Sequence, residues 1–323
     1  MSKKYTSIGG QALIEGIMMK SPEKTAMAVR KPDKSIEIIY LEEKDSIKIA
    51  KLPVIRGVVN FIKAMVQGYK ALMISADKSG FTDLEEEKTE KNEKKESLFF
   101  TIIMVLGSVL GVALSIVLFM LLPRLFVGLL ENVFATDFSK FVRSGIEQLL
   151  KLTIFVGYVW AVSFMKDIKR VFMYHGAEHK TIFCYEAGLP LTVENARKQT
   201  RFHPRCGTSF MILMILISII ISTVVQMIFP QVYDIAWAWV IIKILLIPLT
   251  CGVGYEVLKA CGKYDNVITK IISAPGLWLQ RLTTKEPEDD MLEIAIAAIK
   301  ACEPEIPDVE RNEVEEEIND DNI

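Results

Sequence analysis

Residues 98–122 read LFFTIIMVLGSVLGVALSIVLFMLL, twenty-five residues without a charge. A helix needs about 20 mostly apolar residues to cross the hydrocarbon core of a bilayer. This stretch therefore decides the fold class: an α-helical integral membrane protein. Three further stretches complete a reading of four transmembrane helices. Residues 146–165 carry Glu147 and Lys151 near their start, and residues 209–229 hold Gln226 near their end. Residues 235–252 run on toward Lys259 and contain Lys243 and Pro248. Pro248 removes one helical donor and predicts a kink. Lys243, inside a span, must snorkel, pair, or line a polar cavity. The average composition agrees, with 51% hydrophobic residues and a mean hydropathy of +0.30, unusual for a soluble domain.

Lys and Arg counts orient the spans. The loop 166–208 has eight, the loop 123–145 three and the loop 230–234 none. Both termini and the loop 166–208 are expected in the cytoplasm, and four spans return the chain to its starting side. The formal net charge of −2 hides an asymmetry: residues 303–323 carry −9, leaving about +7 on the remainder. A basic body suits an anionic inner leaflet. Met1-Ser2-Lys3-Lys4 leads into polar, Gly-rich sequence with no apolar h-region, so no signal peptide is expected. The five cysteines, Cys184, Cys206, Cys251, Cys261 and Cys302, are scattered and form no CxxC pair. Reduced thiols fit better than a disulfide framework.

Outside the membrane portion, residues 1–80 read as a small cytoplasmic α/β region. Residues 25–30 and 35–41 flank the turn-like Lys31-Pro32-Asp33-Lys34 and predict a β-hairpin. Residues 52–76 repeat Ile55, Val58, Val59, Ile62, Met65, Val66, Tyr69 and Leu72 at helical steps, so an amphipathic helix is expected, on the membrane or packed on the cytoplasmic domain. Residues 81–97 form a charged linker. The membrane domain then covers 98–283. Residues 284–302 suggest an amphipathic helix with Met291, Ile294, Ala295, Ala298 and Ile299 on one side, and 303–323 an acidic, disordered tail.

All three histidines fall between residues 175 and 203. His175 and His179 belong to an H-x-x-E-H string, which puts two imidazoles on one helical face with Glu178 beside them. This is the spacing of the reversed zincins, the inverzincins. His203 follows in His203-Pro204-Arg205-Cys206. A catalytic zinc takes three protein ligands and keeps one position open, whereas a structural zinc is closed by four. The reading takes His175, His179 and His203 as ligands and Glu178 as general base. Cys206, Glu186, Glu15 and Glu256 are further candidate ligands. If His203 and Cys206 both bind, the centre is His3Cys and structural. Without a metal, His175 and His179 would cap carbonyls or meet headgroups, and Glu178 would pair with Lys180 or Arg201. Glu15, in Gly9-Gly10-Gln11-Ala12-Leu13-Ile14-Glu15-Gly16, has Arg56 as its more natural partner, and Glu256 has Lys259. The glycine string lacks the Gly-Lys-[Ser/Thr] ending of a phosphate-binding loop. The basic loop has the composition of a membrane-proximal loop, and no nucleic-acid partner is expected.

Several strings together resemble the YqhQ-like family of bacterial membrane proteins: GGQALIEGIMM at 9–19, RGVV at 56–59, YHGAEHKT at 174–181, YE at 185–186, LTVENAR at 191–197 and HPRCGTSF at 203–210. The resemblance covers roughly residues 5–300 and leaves out the acidic tail. It implies a multi-pass protein of the bacterial cell membrane and a metal-dependent enzyme, and names no substrate. The favoured expectation is hydrolysis with Zn2+ or another divalent metal. A structural zinc site in a membrane scaffold or regulator is the alternative, with an unidentified protein partner. A transporter subunit, with Lys243, Gln226 and Glu256 along a polar path, is the third class and would call for a homo-oligomer.

Overall fold

The computed structural model describes residues 8–42, 52–81, 106–264 and 266–303. The charged run 85–96, the first eight residues of the 98–122 stretch and the tail beyond 303 lie outside them. The chain is mostly helical, with a small antiparallel sheet near its N-terminus.

Four strands, β1 (Gly9–Leu13), β2 (Gly16–Lys20), β3 (Thr25–Arg30) and β4 (Ile36–Leu41), pair antiparallel in sequence order. The expected hairpin is β3–β4. Its turn is held by Asp33, whose carboxylate accepts from the Ser35 N–H at 2.9 Å, and by Lys34 at φ 68°. The glycine string 9–19 folds into a second hairpin. Its two-residue turn places Glu15 at φ 50°. The sheet is covered on both faces. Ile17, Met19, Ala26 and Ala28 join one core, while Leu13, Met18, Met27 and Val29 pack with Ala71 of α1 (Ile55–Lys78). That two-sided burial explains why β2 shows no alternation of apolar and polar residues.

The helix Leu106–Phe134 (α2) runs past Pro123, where the sequence suggested a loop. The helix widens to π-type turns at Val117–Leu121 just before the proline, which absorbs the backbone bond that Pro123 cannot make. α3 (Lys140–Val162) leads almost directly into α4 (Lys166–Glu186), so the expected histidine loop is itself largely helical. A short α5 (Val193–Arg197) precedes α6 (Gly207–Ile228), and α7 is Pro230–Asp234. α8 (Ala236–Leu245) and α9 (Ile247–Lys263) meet at a 40° bend. The bend falls at Leu246, because Pro248 sits in the first turn of α9, where its missing donor costs nothing. Among the described residues, three helices are long and apolar enough to cross a membrane, or four if the bent pair is one span.

α10 (Val267–Thr283) has no counterpart in the sequence reading. Asn266 caps it reciprocally with Thr269, and Pro275 lies within it. α11 (Asp289–Cys302) is the expected C-terminal helix. It buries Met291, Leu292, Ile294, Ala295, Ala298 and Ile299 against β2, β3 and α4.

Candidate metal centre

The site is built where α4, the start of α6 and the end of α10 meet. His175 and His179, one turn apart on α4, have ring centroids 4.4 Å apart. Cys206 caps the N-terminus of α6, its sulfur accepting from the Thr208 N–H at 3.4 Å. The side-chain donor atoms of His175, His179 and Cys206 all lie within 4.8 Å of one another. His175 Nε2 is 3.0 Å from Cys206 Sγ.

Each imidazole is oriented by a backbone carbonyl. His175 Nδ1–H donates to the Thr283 carbonyl at 2.9 Å, and His179 Nδ1–H to the Arg201 carbonyl at 2.5 Å. Those bonds assign the proton to Nδ1 in the neutral ring and leave both Nε2 lone pairs directed inward. Metal-binding histidines are commonly held this way. His179 Nε2 is buried without a hydrogen-bond partner among the described residues. Burial lowers the pKa of His179, which favours the neutral ring. Burial would raise the Cys206 thiol, but His179 and Thr208 outweigh it and bring the thiol below its usual value.

Glu178 is fully enclosed. Its carboxyl packs on Gly10 of β1, whose backbone N–H donates to it, and a methyl added at Gly10 would come within 2.9 Å of that carboxyl. Glu178 Oε2 is buried and has no hydrogen-bond partner among the described residues. Burial pushes this carboxyl up to about 8, with His175 opposing the shift and Cys206 adding to it. Neither Lys180 nor Arg201 takes it up. Lys180 Nζ donates to the Arg197 carbonyl at 2.8 Å, and both cations pair with Glu286.

Of the other candidates, His203, expected as third ligand, stands beside His179 with ring centroids 5.5 Å apart, but it is not in the group whose donor atoms all lie within 4.8 Å, where Cys206 joins the two histidines. Gln280 clamps the His203 backbone, accepting from its N–H at 2.8 Å and donating to its carbonyl at 2.7 Å. The His203 ring then packs on Phe183, centroids 4.7 Å apart, with Nε2 3.9 Å from Glu186. Glu186 pairs with Arg205; burial would raise its carboxyl, but His203 and Arg205 hold it at about 2. Glu15 pairs with Arg170 rather than Arg56 and accepts from the Tyr174 hydroxyl at 3.0 Å. Burial opposes ionisation of Glu15, but Arg170 and Tyr174 keep it below the usual carboxylate range. Arg56 instead pairs with Glu256, far along the chain on α9, so Glu256 is not at the cluster and Lys259 is not its chief partner.

Several residues that shape the site carry no sequence signal. Thr283 and Arg201 contribute carbonyls, which every residue possesses. Gln280 acts through two backbone bonds. Gly176 lacks the side chain that would collide with the Lys285 carbonyl, and Lys285 N–H donates to Phe172 O at 2.8 Å, strapping residues 284–288 across α4.

The fold and site thus define a class: a mostly helical chain with, among the described residues, three or four helices of membrane-spanning length and a largely buried two-histidine, one-cysteine cluster beneath a small sheet. The chain belongs to the YqhQ-like family described as "Protein of unknown function (DUF1385)", whose family model matches residues 52–305. It is 39% identical over 293 residues to the "Uncharacterized protein YqhQ" of Bacillus subtilis (strain 168), covering 89% of each chain. No solved structure matches.

Proposed function

We propose that this protein is a multi-pass enzyme of the bacterial cell membrane, with a zinc-dependent hydrolytic centre on its cytoplasmic side held by His175, His179 and Cys206. The observation that carries this reading is the convergence of three ligand atoms within 4.8 Å, two of them on imidazoles already oriented through Nδ1. A nitrogen–nitrogen–sulfur set suits zinc. Three ligands rather than four leave room for water or substrate. A zinc ion there would supply Lewis acidity toward a carbonyl or phosphoryl oxygen and would acidify water.

Glu178 Oε2 is the group to move a proton. It feels the charges of His175 and Cys206, is excluded from bulk water, and has no competing hydrogen bond among the described residues. Gly10 N–H holds the carboxyl in place. The cytoplasmic assignment is supported by the Lys and Arg excess in 166–208 and by the packing of the N-terminal sheet on α4, which keeps both on one side.

The test is metal analysis of protein purified in neutral detergent, followed by cobalt substitution. The expected result is about one zinc per chain, lost in His175→Ala, His179→Ala and Cys206→Ala and retained in His203→Ala. The cobalt form should show a thiolate-to-metal charge-transfer band whose visible spectrum shifts when azide is added, as an open position requires. Metal content independent of Cys206 would overturn the ligand set. Loss of metal in His203→Ala, with no azide response, would replace the enzyme by a closed structural centre.

A further inference from the structure

A second cluster of charge lies between α3, a helix of spanning length, and α8, the first half of the bent pair. Lys243 of α8 has its Nζ 3.8 Å from Oε2 of Glu147 on α3, and their side chains are only 9% and 3% exposed. Lys151, one turn along α3, donates to Gln148 Oε1 at 3.3 Å and lies within hydrogen-bonding reach of the Lys243 amine. Lys243 also stands over the Trp239 ring, 5.2 Å from its centroid. Lys151, Lys243 and Gln148 open onto a cavity of about 400 Å³, whose wall is otherwise mostly apolar and includes Phe119, Phe155, Met211 and Met214.

Charge in such surroundings is expensive and needs a compensating partner. Among the described residues, two amines face the carboxylate of Glu147, with Arg124 a further cation acting on Lys243. Amines in mutual contact repel when both are protonated, and an anion seated between them would remove that repulsion. The cavity has the size of a ligand site, and its mix of apolar wall and few convergent polar groups is typical of one. Its chemistry is that of an amphiphile, with cations for a head and phenylalanine and methionine for a chain.

We propose that this cavity binds a single-chain amphiphile with an anionic headgroup, the charge seated between Lys151 and Lys243 and the chain along Phe119, Phe155, Met211 and Met214. The inference goes beyond the zinc reading and does not depend on it.

Native mass spectrometry of the full chain in maltoside micelles tests it, with dodecyl phosphate, dodecanoate and dodecanol as probes. The two anions separate a phosphate head from a carboxylate, and the alcohol controls for chain burial alone. Wild-type protein should form a one-to-one adduct with at least one anion and none with the alcohol at equal concentration. The Lys151→Met/Lys243→Met variant should lose at least about tenfold in affinity, as truncating a buried charge partner does. The Lys151→Arg/Lys243→Arg variant should keep binding, which guards against a folding defect, and zinc content should be equal in all three proteins. Equal binding of dodecanol, or undiminished binding by a folded double-methionine variant, would overturn the proposal.

Discussion

Two regions of this molecule bury apolar residues by different means. In the layer formed by the sheet, α4 and α11, the protein covers itself: Leu13, Met27, Ile294 and Ile299 are completely inaccessible. Along α2, α3 and α6 the same residue classes face outward, with Leu125 70%, Phe141 74% and Met227 75% exposed. The first region behaves as a water-soluble core in which neighbouring side chains exclude solvent. At those outward positions the second has no such neighbours among the described residues, and an apolar medium would have to supply the contact. The histidine–cysteine cluster sits at the seam: α4 brings the imidazoles from the self-covered layer, and α6 brings the sulfur from the apolar bundle.

The sharpest way to break this comparison is to remove the same methylene groups from each region. Ile294→Ala should destabilise the folded protein by about 2–5 kcal/mol, the cost of truncating a packed core residue. Leu125→Ala, facing outward, should change the unfolding midpoint far less. Denaturant unfolding in neutral detergent, followed by tryptophan emission, compares them. Equal losses would mean that α2 is packed against protein, and the contrast would fail.

Arg170→Ala tests the polar tie between β1–β2 and α4. It leaves the half-buried Glu15 carboxylate with the Tyr174 hydroxyl but without its guanidinium, for an expected loss of about 1–3 kcal/mol at neutral pH. Glu15 has its folded pKa lowered, so its contribution is present above the ordinary value of 4.5 and disappears as pH falls through the folded value. Wild type should therefore lose stability on acidification below about pH 4.5, and Arg170→Ala should show a flatter acid limb. Identical limbs would remove Arg170 as the cause.

Gly10→Ala probes the seam. The added methyl would press on the Glu178 carboxyl at 2.9 Å, and overpacking of this kind costs about 1–3 kcal/mol. The cobalt spectrum should shift while the metal stays bound; an unchanged spectrum would place Glu178 out of touch with the centre. The smallest effect belongs to the exposed Arg197–Asp289 pair, whose side chains are more than half accessible. Arg197→Ala should alter stability by less than about 1 kcal/mol, and a larger loss would show that α5 is anchored to α11 through that pair.

The features legible in advance were those with a local physical cause. The β3–β4 hairpin followed from turn chemistry, the C-terminal helix from its apolar stripe at Met291, Ile294, Ala295, Ala298 and Ile299, and the apolar helices from uncharged length. His175 and His179 were legible as a pair because helical spacing alone brings them together. The β1–β2 hairpin was not, since burial on both faces erased the period-two signal in GIMMK. α10 was missed because its pattern is interrupted by Pro275. Sequence points to His203 as the third ligand because it is the remaining histidine; it lies three residues from Cys206 in an irregular segment, and only the fold, in which Gln280 from a distant helix clamps the His203 backbone, brings the cysteine sulfur beside the two imidazoles.

Sequence by itself determined the helical, apolar character of the chain, the side-by-side placement of two imidazoles, and membership of the family, since each depends on neighbours within a few residues or on composition. Tertiary structure alone decided that a cysteine joins those imidazoles, that Glu15 answers to Arg170 and Glu256 to Arg56, and that two lysines share one carboxylate between α3 and α8. The pairs His175–Cys206, Glu15–Arg170, Arg56–Glu256 and Glu147–Lys243 are separated by 31 to 200 residues. Over such distances it is packing, through the closure of loops and the crossing of helices, that selects which side chains meet.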